Sequence, residues 1–149
     1  MQKNKTFFNN KNILGIDYGT KVTGLATFCP ARDPFPTPFG KIIYRDDNQL
    51  AEEIEAAVKD EFFEIIILGI PHLTDGGRTD MTEKVEKFGE LLQKRLPEIP
   101  FFTQDETLTT FEAEQRMKNS PRYNFKVNPK EIDALAASII LEDFFKQLD

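Results

Sequence analysis

NILGIDYGTKVTGLATF, residues 12–28, decides how this chain folds. Residues 12–17 and 22–28 are two short apolar runs, and Tyr18-Gly19-Thr20-Lys21 between them reads as a tight turn. Two strands joined so closely form a hairpin, so the sheet begins antiparallel. Beyond it, Pro30, Pro34, Pro36 and Pro38 require a loop, and residues 39–44 read as a third strand. Leu50, Ile54, Ala57 and Val58 recur at helical spacing in residues 49–59. FEIIILGI, residues 63–70, is a continuous apolar run that suits a central strand covered on both faces.

The second half alternates. Asp80 is expected to cap a helix, with Glu83 in capping-box position and Met81, Val85, Phe88, Leu92 and Leu96 as its apolar stripe. Residues 100–104 read as a short strand, 109–118 as a helix and 120–129 as a basic loop. Residues 130–148 read as a closing helix with Ile132, Leu135, Ala136, Ile139, Ile140 and Phe144 inward. The order β-β-β-α-β-α-β-α-α predicts an α/β fold in which an antiparallel meander is extended by parallel strands. A mixed five-stranded sheet with helices on both faces matches the ribonuclease H architecture.

A length of 149 residues fits one core, expected over residues 13–149 behind a flexible polar tail at 1–12. The tail lacks the apolar segment of a secretory signal, and no run approaches a membrane span. With 40% hydrophobic and 30% charged residues, the composition excludes a disordered or fibrous class. Phenylalanine, present 14 times, should supply much of the packing volume. The lone Cys29 leaves no internal disulfide or cysteine-based zinc site and fits a reducing cytoplasm. A net charge of −6 argues against a generally nucleic-acid-binding surface. Yet Arg116, Lys118, Arg122, Lys126 and Lys130 stand against Glu114 alone in residues 113–130. Such a segment can meet phosphates or simply be a solvated loop.

Three motifs carry acids at positions a ligand could reach. GIDYGTK (15–21) puts Asp17 at a strand end, with Lys21 close by and Gly19 allowing a tight turn. The bland alternative is a turn aspartate. QDETLTT (104–110) puts Asp105 and Glu106 at another strand end; adjacent residues of a strand point to opposite faces, so only one of the two can join Asp17. Thr109 or Thr110 would cap the next helix. EIDALAA (131–137) puts Asp133 on a helix face shared with Ala136, Ala137 and Ile140, where a carboxylate is costly without a cation or donor. The alternative is an acid that favours the helix dipole. Clustered acids with His72 as the sole histidine point to hard, oxygen-ligated cations, Mg²⁺ or Mn²⁺.

IDYGTKVTGLA, LGIP…DGG, DETLTTFEA and KEIDALAASIIL, in this order and spacing from about residue 13 to 145, resemble the YqgF/RuvX family. That resemblance implies a ribonuclease H-like nuclease with two-metal chemistry. It implies Holliday junction resolution or maturation of the 5′ end of the small-subunit ribosomal RNA precursor, with 5′-phosphate and 3′-hydroxyl products. Asp17, Glu106 (or Asp105) and Asp133 match the family's acids. Asp17 would bridge two metals, and Lys21, Arg116, Lys118, Arg122 and Lys126 would contact nucleic acid. Precursor RNA or branched DNA, ribosomal particles and a second copy are the implied partners. Two positions depart from the pattern: Thr107 stands where the family usually has Arg, and Leu73 where it has Asn. His72 is expected to be an exposed loop residue. Residues 16–20 also resemble the first phosphate loop of sugar kinases and actin-like ATPases, whose two lobes require a much longer chain. A non-catalytic nucleic-acid-binding module is the remaining alternative.

Overall fold

A computed structural model describes residues 4–107 and 109–148. Five strands form one sheet in the order β3-β2-β1-β4-β5. Strands β1 (Ile13–Asp17), β2 (Val22–Phe28) and β3 (Thr37–Ile43) are the antiparallel meander. Strands β4 (Ile65–Pro71) and β5 (Phe101–Glu106) run parallel to β1. Helices α2 (Asp47–Glu61) and α3 (Asp80–Arg95) cover one face over Leu14, Ile16, Ile66 and Leu68. Helix α5 (Ile132–Lys146) covers the other over Ile13, Ala26, Ile65 and Ile67, with α4 (Thr109–Lys118) beside it. Alternate residues of β1 and β4 thus feed two separate cores, which is why these strands read as unbroken apolar runs.

Helix boundaries follow local chemistry. Asp46 caps α2 and forms a reciprocal box with Gln49, and Phe62 ends the helix in the left-handed region at φ 58°. Helix α3 is capped by Thr79, not by Asp80 with Glu83 as expected. The reciprocal partner is Thr82, whose buried hydroxyl also donates to the Pro71 carbonyl. A short hydroxyl side chain reaches both, whereas Asp80 and Glu83 stay in the first turn, where their charge suits the helix N-terminus. Strand β3 begins at Thr37 and includes Pro38, which an edge strand tolerates.

Residues 4–12, expected to form a loose tail, carry a four-residue helix α1 (Lys5–Phe8), and Phe8 is fully buried. Its ring lies 5.4 Å from Phe102, 5.5 Å from Phe144 and 5.3 Å from Phe145. Residues 1–3 of the expected tail and residue 149 of the expected domain lie outside the described residues. Among the described residues no helix is long and apolar enough to cross a membrane.

Candidate active site

Asp17 is the last residue of β1, on the face that α5 covers. Its register partner is Gly24, whose own partner on β3 is Lys41. A Cβ on Gly24 would stand 1.9 Å from the carbonyl oxygen of Asp133, so the first turn of α5 rests directly on this glycine. Gly15 and Gly69 give the same room to Leu141 and Ile140. The first turns of the helix also carry the small buried residues Ala134, Ala136, Ala137 and Ser138, and the close approach over Gly24 brings Asp133 beside Asp17. Burial, reinforced by the Asp133 charge, pushes the Asp17 carboxyl up to about 7. Burial also raises Asp133, although Lys41 works against the rise.

Glu106 ends β5 and is only 8% exposed. Thr109, the first residue of α4, donates its hydroxyl to Oε2 at 2.6 Å. The other oxygen, Oε1, is buried and accepts from no N–H or hydroxyl donor, and the Glu106 carboxyl lies within proton-sharing reach of the Asp143 carboxyl. Burial pushes this carboxyl up to about 8; Thr109 opposes the rise, while the neighbouring charges of Asp143 and Asp17 add to it. Asp17 and Glu106 line a common cleft of about 390 Å³, with Gly69, Ile140 and Thr107 among its walls.

The adjacent acids at the end of β5 divide as an extended chain requires. Glu106 turns toward Asp17, and Asp105 turns to the opposite face, where its side chain is 81% exposed. Asp105 Oδ1 lies 3.7 Å from His72 Nδ1, which also donates to the Ile70 carbonyl at 3.1 Å. His72 is not the exposed loop residue expected: its side chain is 15% exposed, because that backbone bond draws the ring inward. Asp143, which the sequence reading missed, stands beside Glu106. The available signal was an acid next to inward-facing Phe144 and three positions beyond Ile140 on α5.

Lys21, Lys118, Arg122 and Lys126 are exposed. Arg116 differs: its guanidinium grips Glu142 at 2.7 and 2.8 Å and Glu112 at 2.6 Å, so its charge is already paired within the protein. Leu73 and Thr107, the two departures from the family pattern, both line a shallow cleft beside Glu106.

Among the described residues, no three His, Cys, Asp or Glu side chains are already gathered closely enough to hold a metal ion. The donor set nonetheless suits a hard cation. All the candidate donors are carboxylates, and burial together with the neighbouring acids pushes two of them up, Asp17 to about 7 and Glu106 to about 8, a penalty that a bound cation would relieve.

The sheet order and the placement of α5 define a ribonuclease H-like protein. Thermus thermophilus RuvC in complex with a Holliday junction substrate superposes with a TM-score of 0.56 at 10% identity, over 91% of this chain and 95% of that one. A fowlpox virus Holliday junction resolvase gives 0.55 at 12% identity, over 92% and 99%. The chain belongs to the RuvX family, described as Holliday junction resolvases, whose model matches residues 11–147. Its Pseudomonas fluorescens (strain SBW25) relative is 32% identical over 148 residues, 91% of this chain and 92% of that one. A Crocosphaera subtropica relative is 34% identical over 134 residues, 90% and 92%. Both relatives are named, provisionally, as pre-16S rRNA nucleases. The family is one of hydrolytic nucleases.

Proposed function

We propose that this chain is a metal-dependent endonuclease that cuts structured nucleic acid, with the 5′ end of the small-subunit ribosomal RNA precursor as its substrate. The observation that carries the reading is Glu106: a buried carboxyl in the wall of the cleft it shares with Asp17, with the further acid Asp143 beside it and, among the described residues, no ion pair to a cationic side chain. Burying such a group costs free energy, which a retained proton or a bound cation relieves. The names of the RuvX relatives favour RNA as the substrate. The family description favours a four-way DNA junction as the second reading, which would need two sites related by symmetry.

Asp17, Glu106 and Asp133 would hold Mg²⁺ or Mn²⁺. A pair of such cations supplies Lewis-acid stabilisation to the attacking water and to the leaving oxygen of an in-line displacement. The chain itself orients the acids. Thr109 fixes one oxygen of Glu106 in the wall of the cleft. Gly24 seats the backbone of Asp133 beside Asp17, and Lys41 balances part of the acid charge. Water attacks phosphorus as the P–O bond to the leaving oxygen breaks; the proton lost by the water passes to solvent or to a site carboxylate, and the leaving oxygen takes up a proton from solvent to become a hydroxyl.

The test uses the purified chain with labelled precursor RNA and a four-way DNA junction. Cleavage of the RNA is expected with Mn²⁺ or Mg²⁺ and is lost in chelator. Asp17→Asn, which keeps shape and removes charge, should abolish cleavage without changing the circular dichroism spectrum. Full activity in Asp17→Asn would overturn the assignment.

A further inference from the structure

We infer that the groove between edge strand β3 and α5 binds an unpaired strand of the nucleic-acid substrate and leads it to the acids. This deepens the nuclease reading and rests on it. The groove has a volume of about 640 Å³ and includes Phe35, Lys41, Arg122, Tyr123 and Lys130 in its walls.

Three observations identify the occupant. The first is continuity with the acids. Lys41 is two register steps from Asp17, across Gly24, which places their backbones about 10 Å apart in the sheet. The charge of Lys41 also acts on Asp133. One end of the groove is therefore the edge of the candidate active site.

The second is charge. In a chain of net charge −6, the groove gathers Lys41, Arg116, Arg122 and Lys130 against Glu131 and Glu142. Arg116 and Glu142 neutralise each other, and Glu131 is held by the Asn128 amide at 2.6 Å. Among the described residues, no ion pair occupies Lys41, Arg122 or Lys130. An anionic backbone fits such a lining.

The third is the aromatic surface. Phe35 is 59% exposed, in a loop that Pro34 and Pro36 stiffen, so its ring is held out at little entropic cost. Tyr123 offers a second ring, with the Arg122 guanidinium 5.8 Å from its centroid. Exposed flat groups between cations suit bases stacked along a single strand. In a duplex the base faces are already stacked on one another and could not use these rings.

Labelled oligouridylate, oligothymidylate and a blunt duplex, titrated into the full chain in chelator, read binding by fluorescence anisotropy without cleavage. Both single strands should bind more tightly than the duplex, because stacking and phosphate contact do not read the 2′-hydroxyl. Phe35→Leu keeps apolar bulk but loses the flat ring, and should weaken single-strand binding roughly five- to hundredfold. Phe35→Tyr should retain the affinity, which also controls for folding. Replacing Lys41 and Lys130 by Gln should lower the salt slope by about 0.7 per lost contact. Unchanged affinity in Phe35→Leu with an unchanged salt slope in the Gln variant would overturn the inference. So would a preference for the duplex, or equal competition by polyglutamate, which carries charge without bases. If these variants bind normally while Mn²⁺-dependent cleavage still requires Asp17, the groove fails and the nuclease reading stands. If the variants lose binding and no cleavage occurs with any metal, the groove stands and the nuclease reading fails.

Discussion

At the scale of residues, the site is built by withholding compensation from carboxylates. Asp17 and Glu106 are pushed up to about 7 and about 8, chiefly by burial, and Asp133 and Asp143 are raised in the same direction. A carboxyl whose folded-state pKa lies above its unfolded value holds its proton longer in the folded chain. Its contribution to stability is therefore present at low pH and is lost as pH rises through the window from about 4 to about 8. Asp33, Glu55 and Glu86, lowered mainly by Arg32, Lys59 and Arg78 respectively, act with the opposite sign and at lower pH. Without metal, Tm should fall between pH 5 and 8, and Asp17→Asn should melt higher than the wild type at pH 8, by ~2 °C or more. Added Mg²⁺ should restore the wild type more than this variant. Thermal melts across that range decide the matter; a metal-free Tm that rises with pH would contradict it. Asp17 could be read from its strand-end position. Choosing Glu106 over Asp105 could not, because alternation says only that the two diverge and not which one faces α5. Asp143 was hidden for another reason: its partner, Glu106, is far away in sequence.

At the scale of elements, α5 is the part that assembles the site, and it does so through glycine. Gly15, Gly24 and Gly69 lie on three different strands, and each yields its side-chain volume to the same helix. Gly24→Ala should push the first turn of α5 off the sheet. Overpacking of this kind costs ~1–3 kcal/mol, and displacing Asp133 should depress cleavage well beyond the loss of folded protein. Gly40→Ala on the neighbouring strand, where an added Cβ meets nothing within 4 Å, is the control for packing and should leave the stability unchanged. Denaturant melts and single-turnover cleavage of both variants test this; a Gly24→Ala protein with wild-type turnover would break the link between the seat and the acid. The helix itself was plain in the sequence from its apolar periodicity. Its three glycine seats were not, since a lone glycine within a strand does not name what lies above it. Cap positions also escaped, because Thr79 and Thr82 act through a buried contact with Pro71.

Across the whole molecule, the two ends are packed differently. The antiparallel meander and a central strand covered on both faces followed from the runs at residues 12–28 and 63–70. The docking of α1 did not, because a Lys- and Asn-rich segment conceals two phenylalanines that act only once Phe102, Phe144 and Phe145 are assembled. Rings interlock at the far end of α5, where Phe28 and Phe145 also meet at 5.1 Å. At its near end, the backbone of Asp133 and Ala134 rests on a bare glycine beside mutually repelling carboxylates, and small residues follow.

That contrast predicts how α5 comes away from the sheet. Backbone amides in the alanine-rich part, Ala136 to Ser138, should exchange their hydrogens with solvent through small local openings. Those from Leu141 to Phe144, behind the interlocked rings, should exchange only when much more of the protein unfolds. Magnesium should slow the first group and leave the second nearly untouched. Uniform exchange along the helix, indifferent to the cation, would mean that α5 opens as a single rigid unit.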